Sequence, residues 1–127
     1  MTTSQREKIR TYYEANLAKA QKGIVTDYTV WFYMVSHRTL LIAIRVEAGP
    51  ELFLEFSGVT FARFLPRWKD EKIIFLAPDK TTDALNKLGI EGHYICCAGM
   101  SEPSFFVAFS IFRILNERPE YLQLSRP

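Results

Sequence analysis

Two cysteines and two histidines are all that this chain of 127 residues offers to thiol or soft-metal chemistry. The cysteines, Cys96 and Cys97, are neighbours. Adjacent residues can bridge only through a small strained ring, outside ordinary disulfide geometry. A disulfide framework is thereby excluded, and a reducing, cytoplasmic setting is expected. The chain has no C-x-x-C pair, no H-E-x-x-H and no run of aspartates. Those spacings are how zinc and calcium sites show themselves in a sequence, so no metal or other cofactor is expected. The six glycines are scattered and form no phosphate-cradling loop. Gly89-Ile90-Glu91-Gly92 reads as a helix stop followed by a turn.

Long hydrophobic runs are missing too. The most apolar stretch, Phe105 to Leu115, is interrupted by Ser110 and Arg113. It is too short to cross a bilayer. Met1 to Thr11 is polar and charged and lacks the apolar centre of a signal peptide. Neither sign of charge dominates: 16 Lys and Arg face 14 Asp and Glu, a net charge of +2. Such a chain has no strong global field for gripping a polyanion.

What the chain does have is bulk. Apolar residues make up 48%, and ten Phe raise the aromatic share to 14%. A chain of this length is expected to form one domain over residues 1–127. It buries roughly two-thirds of its unfolded surface without needing a covalent or metal staple.

Ser4-x-x-Glu7 reads as a capping box. Ile9, Tyr12, Tyr13, Leu17 and Ala20 follow on one helical face, Lys19 and Lys22 suit the last turn, and Gly23 suits the position after it. A helix is expected from Ser4 to Lys22. From Asp27 the period falls to two. "YTVWFYMV" is β-branched and aromatic, "SHRT" reads as a connection, and "LLIAIRVEA" alternates. Pro50 and Gly49 mark a turn before "ELFLEF". Three antiparallel strands are expected, burying Leu40, Ile42, Ile44, Leu52, Leu54 and Phe56 on one face. "VTFARFL" continues as a fourth strand after a bend at Ser57-Gly58. Pro66 ends pairing, leaving "PRWKDEK" as a loop. "IIFLA" and "HYICCA" read as short strands around a short helix from Thr81 or Thr82 to Lys87.

"SFFVAFSIFRIL" suits either a strand or a helix. Ser101, Glu102 and Pro103 make a good helix start, Ser110, Arg113 and Glu117 align at helical spacing, and Pro119 marks the end. The expected fold is therefore α+β: an N-terminal helix, an antiparallel meander of four to five strands, and a C-terminal helix packed on the sheet.

Catalytic constellations are weak. His93 stands three residues before Cys96, on the opposite face of a regular strand. Cys97 shares the face of His93 but lies about 13 Å away at ~3.3 Å per residue. Both cysteines read as small packed residues, and His37 falls in a turn. Glu47, Glu51 and Glu55 read as a solvated strand face with Arg45 as a nearby partner. In "FARFLPRWKDEK", Arg63, Arg67, Lys69 and Lys72 accompany Trp68 and could grip a nucleic-acid strand. Asp70 and Glu71 dilute that charge, and no RNP-like run is present. Aromatics ending a strand, with cations solvating its exit, is the reading preferred.

One feature survives. The reverse side of the meander is not uniformly polar. It carries Leu41, Phe53 and either Trp31 and Tyr33 or their alternates Phe32 and Met34. A helix is expected to cover that side; left bare, it would serve a partner. The expected function is that of a non-catalytic interaction or accessory module, binding a protein partner or a second copy of itself through Trp31, Tyr33, Arg45 and Phe53. The alternative is a small apolar or aromatic ligand held between the sheet and the C-terminal helix. A cysteine-dependent enzyme and a nucleic-acid binder rank below both.

Overall fold

Among the described residues the chain forms nine strands, arranged in two antiparallel sheets and accompanied by two helices. The computed structural model describes residues 3–47, 49–90, 93–99, 103–117 and 119. Helix α1 spans Thr3–Ala20, starting one residue before the expected cap at Ser4. Ile9, Tyr13, Leu17 and Ala20 turn to the core, whereas Tyr12 is exposed.

Strands β1 (Val25–Met34), β2 (Thr39–Val46) and β3 (Leu52–Ser57) form the expected meander. Their register places Ile44 beside Leu52, Ile42 beside Leu54 and Leu40 beside Phe56. All six belong to, or pack against, the main core cluster. Beyond Gly58 the chain leaves this sheet. Strand β4 (Phe61–Phe64) is the edge of a second, four-stranded sheet, not a fourth strand of the meander.

The segment expected as a loop returns to the first sheet. Strand β5 (Arg67–Trp68) pairs with β1, Tyr28 opposite Trp68. Pro66 does not end the pairing, because a carbonyl still accepts: the Val30 amide donates to it at 2.9 Å. Strand β6 (Ile74–Phe75), helix α2 (Pro78–Leu88) and strand β7 (Tyr94–Ala98) then follow. Helix α2 ends at Gly89, whose φ of 69° is the left-handed C-cap conformation open to glycine.

The segment expected as the C-terminal helix is not helical. "SFFVAFSIFRIL" is two strands, β8 (Phe105–Phe109) and β9 (Ile111–Leu115). Strand β8 runs between β4 and β7, and β9 pairs with β3 in the other sheet. Each strand turns one row of bulky side chains to the core. Phe105, Val107 and Phe109 point to the shared core, and after one residue at Ser110 so do Phe112 and Ile114. Of the polar residues read as a helical stripe, Ser110 is the crossing point, Arg113 is an outward side chain and Glu117 lies exposed beyond the end of β9. Ser101 and Glu102, the expected helix start, lie outside the described residues. At the crossing, the Ser110 amide donates to the Ser57 carbonyl at 3.0 Å, and a Cβ on Gly58 would sit 2.7 Å from the Ser110 hydroxyl oxygen. Gly58, with φ of 65°, is thus fixed both by conformation and by close approach.

Strand order is β5-β1-β2-β3-β9 in one sheet and β4-β8-β7-β6 in the other. The sheets share one aromatic core. Phe56 lies 4.9 Å from Phe109, 5.1 Å from Phe112 and 5.6 Å from Phe105, ring centre to ring centre. The protein is α+β with antiparallel sheets. Helix α1 packs on β9 and β6, the edge strands of the two sheets. Helix α2 covers the outer side of the four-stranded sheet through Leu85, against Ile95 and Ala108. Among the described residues no helix is long and apolar enough to cross a membrane.

Buried phenols in this core make stability sensitive to alkali. Burial pushes the Tyr28 hydroxyl up to about 12, a bond from the Ile73 backbone opposing it only in part. Burial also raises Tyr94, against the opposing effect of Arg6. The unfolded chain therefore releases these protons at lower pH than the folded one. Stability is complete below pH 10 as far as Tyr28 is concerned. It then falls by about 1.4 kcal/mol per pH unit until the folded-state value is reached. Denaturant titrations at pH 9, 10 and 11 measure this directly, and Tyr28→Phe should flatten the slope.

Candidate functional site

The outer side of the five-stranded sheet and a cleft between the helices could each meet another molecule.

The outer side of the five-stranded sheet is built in cross-strand rows. One row runs Arg67, Thr29, Ala43, Phe53, Leu115; the next runs Phe32, Leu41, Glu55, Arg113. Leu41, Ala43 and Phe53 are buried, with Trp31, Phe32 and Leu115 half-buried around them. The Trp31 and Phe53 rings meet edge to face, 5.5 Å apart. Strict alternation would have separated Trp31 from Phe32. A register shift between Val30 and Phe32 lets both join the cluster, as expected when a bulge places two residues opposite one. The same shift sends Tyr33 elsewhere: it is paired with Leu40 and packs edge-on against Phe64, 6.0 Å away. Of the four expected site residues, Trp31 and Phe53 are brought together, Arg45 lies on the same face, and Tyr33 stands apart.

The helix expected over this side is not found among the described residues, where α1 and α2 pack elsewhere. Charges surround the cluster instead. Arg45 bridges Glu51 at 3.1 Å, Arg67 bridges Asp27 at 3.0 Å, and Arg113 bridges Glu55 at 2.6 Å. In every pair the acid is the deeper partner. The guanidinium side chains are 59–67% exposed and the carboxylate side chains only 4–29%. Solvent thus meets three arginines around an aromatic centre, although each pair is formally neutral. Phe32 is expected here only as an alternate to Tyr33, and Leu115, Arg67 and Arg113 are not expected on this face. A bulge brings Phe32, the pairing of β5 brings Arg67 and the pairing of β9 brings Leu115 and Arg113; none of these leaves a mark in local periodicity.

The helix expected to enclose a ligand against the sheet is two strands instead, and their Phe105, Phe109 and Phe112 rings pack against Phe56. A cleft of about 600 Å³ lies elsewhere, between α1 and α2, with Phe75, Leu76, Tyr94 and Ile95 among its lining residues. Arg6 and Arg10 project from one wall. The Arg6 guanidinium donates to the His93 carbonyl at 3.1 Å and lies 5.7 Å from the centre of the Tyr94 ring; Arg10 donates to the Leu76 carbonyl at 3.0 Å. The facing wall is α2, with Thr81, Thr82, Leu85 and Asn86.

Neither cysteine is set up as a nucleophile. Burial, reinforced by the adjacent Cys97, holds the Cys96 thiol well above its ordinary value, and burial raises Cys97 as well. A raised thiol is poor in thiolate, the reactive form. Trp68, weighed above in a nucleic-acid grip that is not the preferred reading, is buried. Its ring stacks between Tyr28 at 5.0 Å and Phe105 at 5.2 Å. Among the described residues no group of three or more His, Cys, Asp or Glu could hold a metal ion.

Comparison with protein-family models, curated proteins and solved structures finds no match to this chain.

Proposed function

We propose that this protein is a non-catalytic interaction module whose docking surface is the outer side of the five-stranded sheet, and that its partner is a protein surface that is apolar at its centre and acidic at its edge. The observation that carries the reading is an asymmetry. One outer sheet face is covered by α2, whereas the other bears an aromatic cluster that neither helix covers. Apolar patches left outside a fold are commonly binding surfaces, and Trp and Arg are favoured anchors at their centres. The outermost charges, Arg45, Arg67 and Arg113, favour acidic groups on the partner and disfavour a second copy presenting the same arginines.

Phe53 is too buried to test this cleanly, so the variant of choice is Trp31→Glu. It should weaken the complex at least tenfold, the scale of a hot-spot loss of about 2 kcal/mol, and shift the melting temperature by only a few degrees. A photo-crosslinking residue at position 32 should capture a partner in cells, and Arg45→Glu should abolish the capture. The control is the same residue at exposed position 83 on α2. Equal capture at 32 and 83, or capture indifferent to Arg45→Glu, would rule the docking surface out. Capture of a second copy alone would replace the acidic partner with self-association.

A further inference from the structure

We infer that the cleft between α1 and α2 is a binding site for a small amphipathic organic acid, a carboxylate carrying an apolar chain or ring. This site is separate from the sheet face and does not depend on it.

Size comes first. About 600 Å³ lies in the range of pockets that take small organic ligands. Chemistry comes second, because the lining is divided. Leu76, Leu85, Ile90 and Ile95 supply apolar wall, while Arg6 and Arg10 supply cations from one turn to the next of α1. Glu7 also lines the cleft and Glu14 pairs with Arg10, so two carboxylates balance the two cations, and what an anion meets there is the free N–H groups of two guanidinium forks rather than a net charge. A ligand that matches both parts needs an anionic head and an apolar body.

Orientation comes third. A guanidinium has five N–H donors in a rigid fork. Bonds to the His93 and Leu76 carbonyls use one donor group of each arginine and hold both heads against the cleft floor. The Arg10 side chain is only 14% exposed, and its acidic neighbour Glu14, 49% exposed, touches it at 3.4 Å. That is a long contact for a charge-assisted bond, which normally closes to about 2.8 Å. Arginine held in place before the ligand arrives loses little side-chain freedom on binding, and its fork suits the two oxygens of a carboxylate.

The test uses the full chain at pH 7 with sodium octanoate, 1-octanol and inorganic phosphate, each titrated by two-dimensional NMR. Octanoate should saturate with a Kd below about 1 mM, moving the signals of Arg6, Arg10, Leu85 and Ile95. It should bind at least tenfold more tightly than octanol, which lacks the head, and than phosphate, which lacks the body. Asn86→Trp, an exposed position on the facing wall, should fill the mouth and abolish octanoate binding without changing the melting temperature. Absence of saturation overturns the inference. So does equal affinity for octanol or for phosphate, or a shift pattern that maps away from the cleft in the native chain. If Asn86→Trp fails to fold, Thr82→Trp is its substitute; binding unchanged in a folded variant also overturns the inference.

Discussion

Gln21→Leu is expected to lower the unfolding free energy by about 3–5 kcal/mol, from the loss of three buried hydrogen bonds at once. The Gln21 amide behaves as a short piece of strand. Its nitrogen donates to the Ile73 carbonyl at 2.8 Å, and its oxygen accepts from the Ile73 amide at 2.8 Å and from the Tyr28 hydroxyl. Gln21, Tyr28 and Ile73 are all nearly closed to solvent. Leucine preserves the approximate volume and removes every polar partner, so each orphaned group bears its own desolvation. Urea unfolding followed by circular dichroism measures the loss. A second change separates hydrogen bonding from packing. Tyr28→Phe made in the leucine background removes one orphan and should recover about 1 kcal/mol, whereas in the native chain it destabilises. A loss below about 1 kcal/mol for Gln21→Leu would show that the amide does not hold the β5–β6 connection to the end of α1.

Trp68→Ala should be of similar size, about 3–5 kcal/mol, by leaving a large cavity in the core. The indole is sandwiched between two rings and its N–H donates to the Glu71 carbonyl at 3.1 Å. Its removal therefore combines lost burial with lost aromatic contacts and an unmet carbonyl. Against a total stability of roughly 5–15 kcal/mol for a domain, such a loss leaves little margin. Trp68→Phe keeps most of the stack and should retain more than half of the lost stability. The same denaturant series, with thermal melting beside it, distinguishes the two. An alanine variant as stable as the native chain would mean that Trp68 is a surface side chain, and the aromatic stretch around it would again be available to bind.

Both predictions concern residues that sequence reading placed wrongly or passed over. Trp68 sits in "PRWKDEK", where charge and proline both read as loop. A strand of two residues has no periodicity to show, and only its pairing with β1 makes it one. The meander was legible because each of its strands is long enough to alternate and has one face turned to the core. The short helix stopped by Gly89 was legible for a related reason, since its end is fixed by local chemistry. "SFFVAFSIFRIL" failed because nearly every position is apolar. Where both sides of a strand are buried, as with Phe105 to Phe109, alternation vanishes and the segment cannot be told from a buried helix. The candidate surface was half legible on similar grounds. Trp31 and Phe53 followed from alternation, whereas the substitution of Phe32 for Tyr33 depended on a bulge.

Strand β9 completes the five-stranded sheet by pairing with β3, more than fifty residues earlier in the chain. Until Leu115 has been made, that flank of the meander has no strand to receive it, and its row of amides and carbonyls faces water or whatever lies near. Assembly of the first sheet thus waits on the last strand described, after the second sheet's strands have been threaded between. Pairings so distant along the chain form slowly, because the intervening loop must close before any contact rewards it. The growing polypeptide carries an unpaired strand edge for as long as residues 58–111 take to be made, a vulnerability that the finished molecule no longer displays.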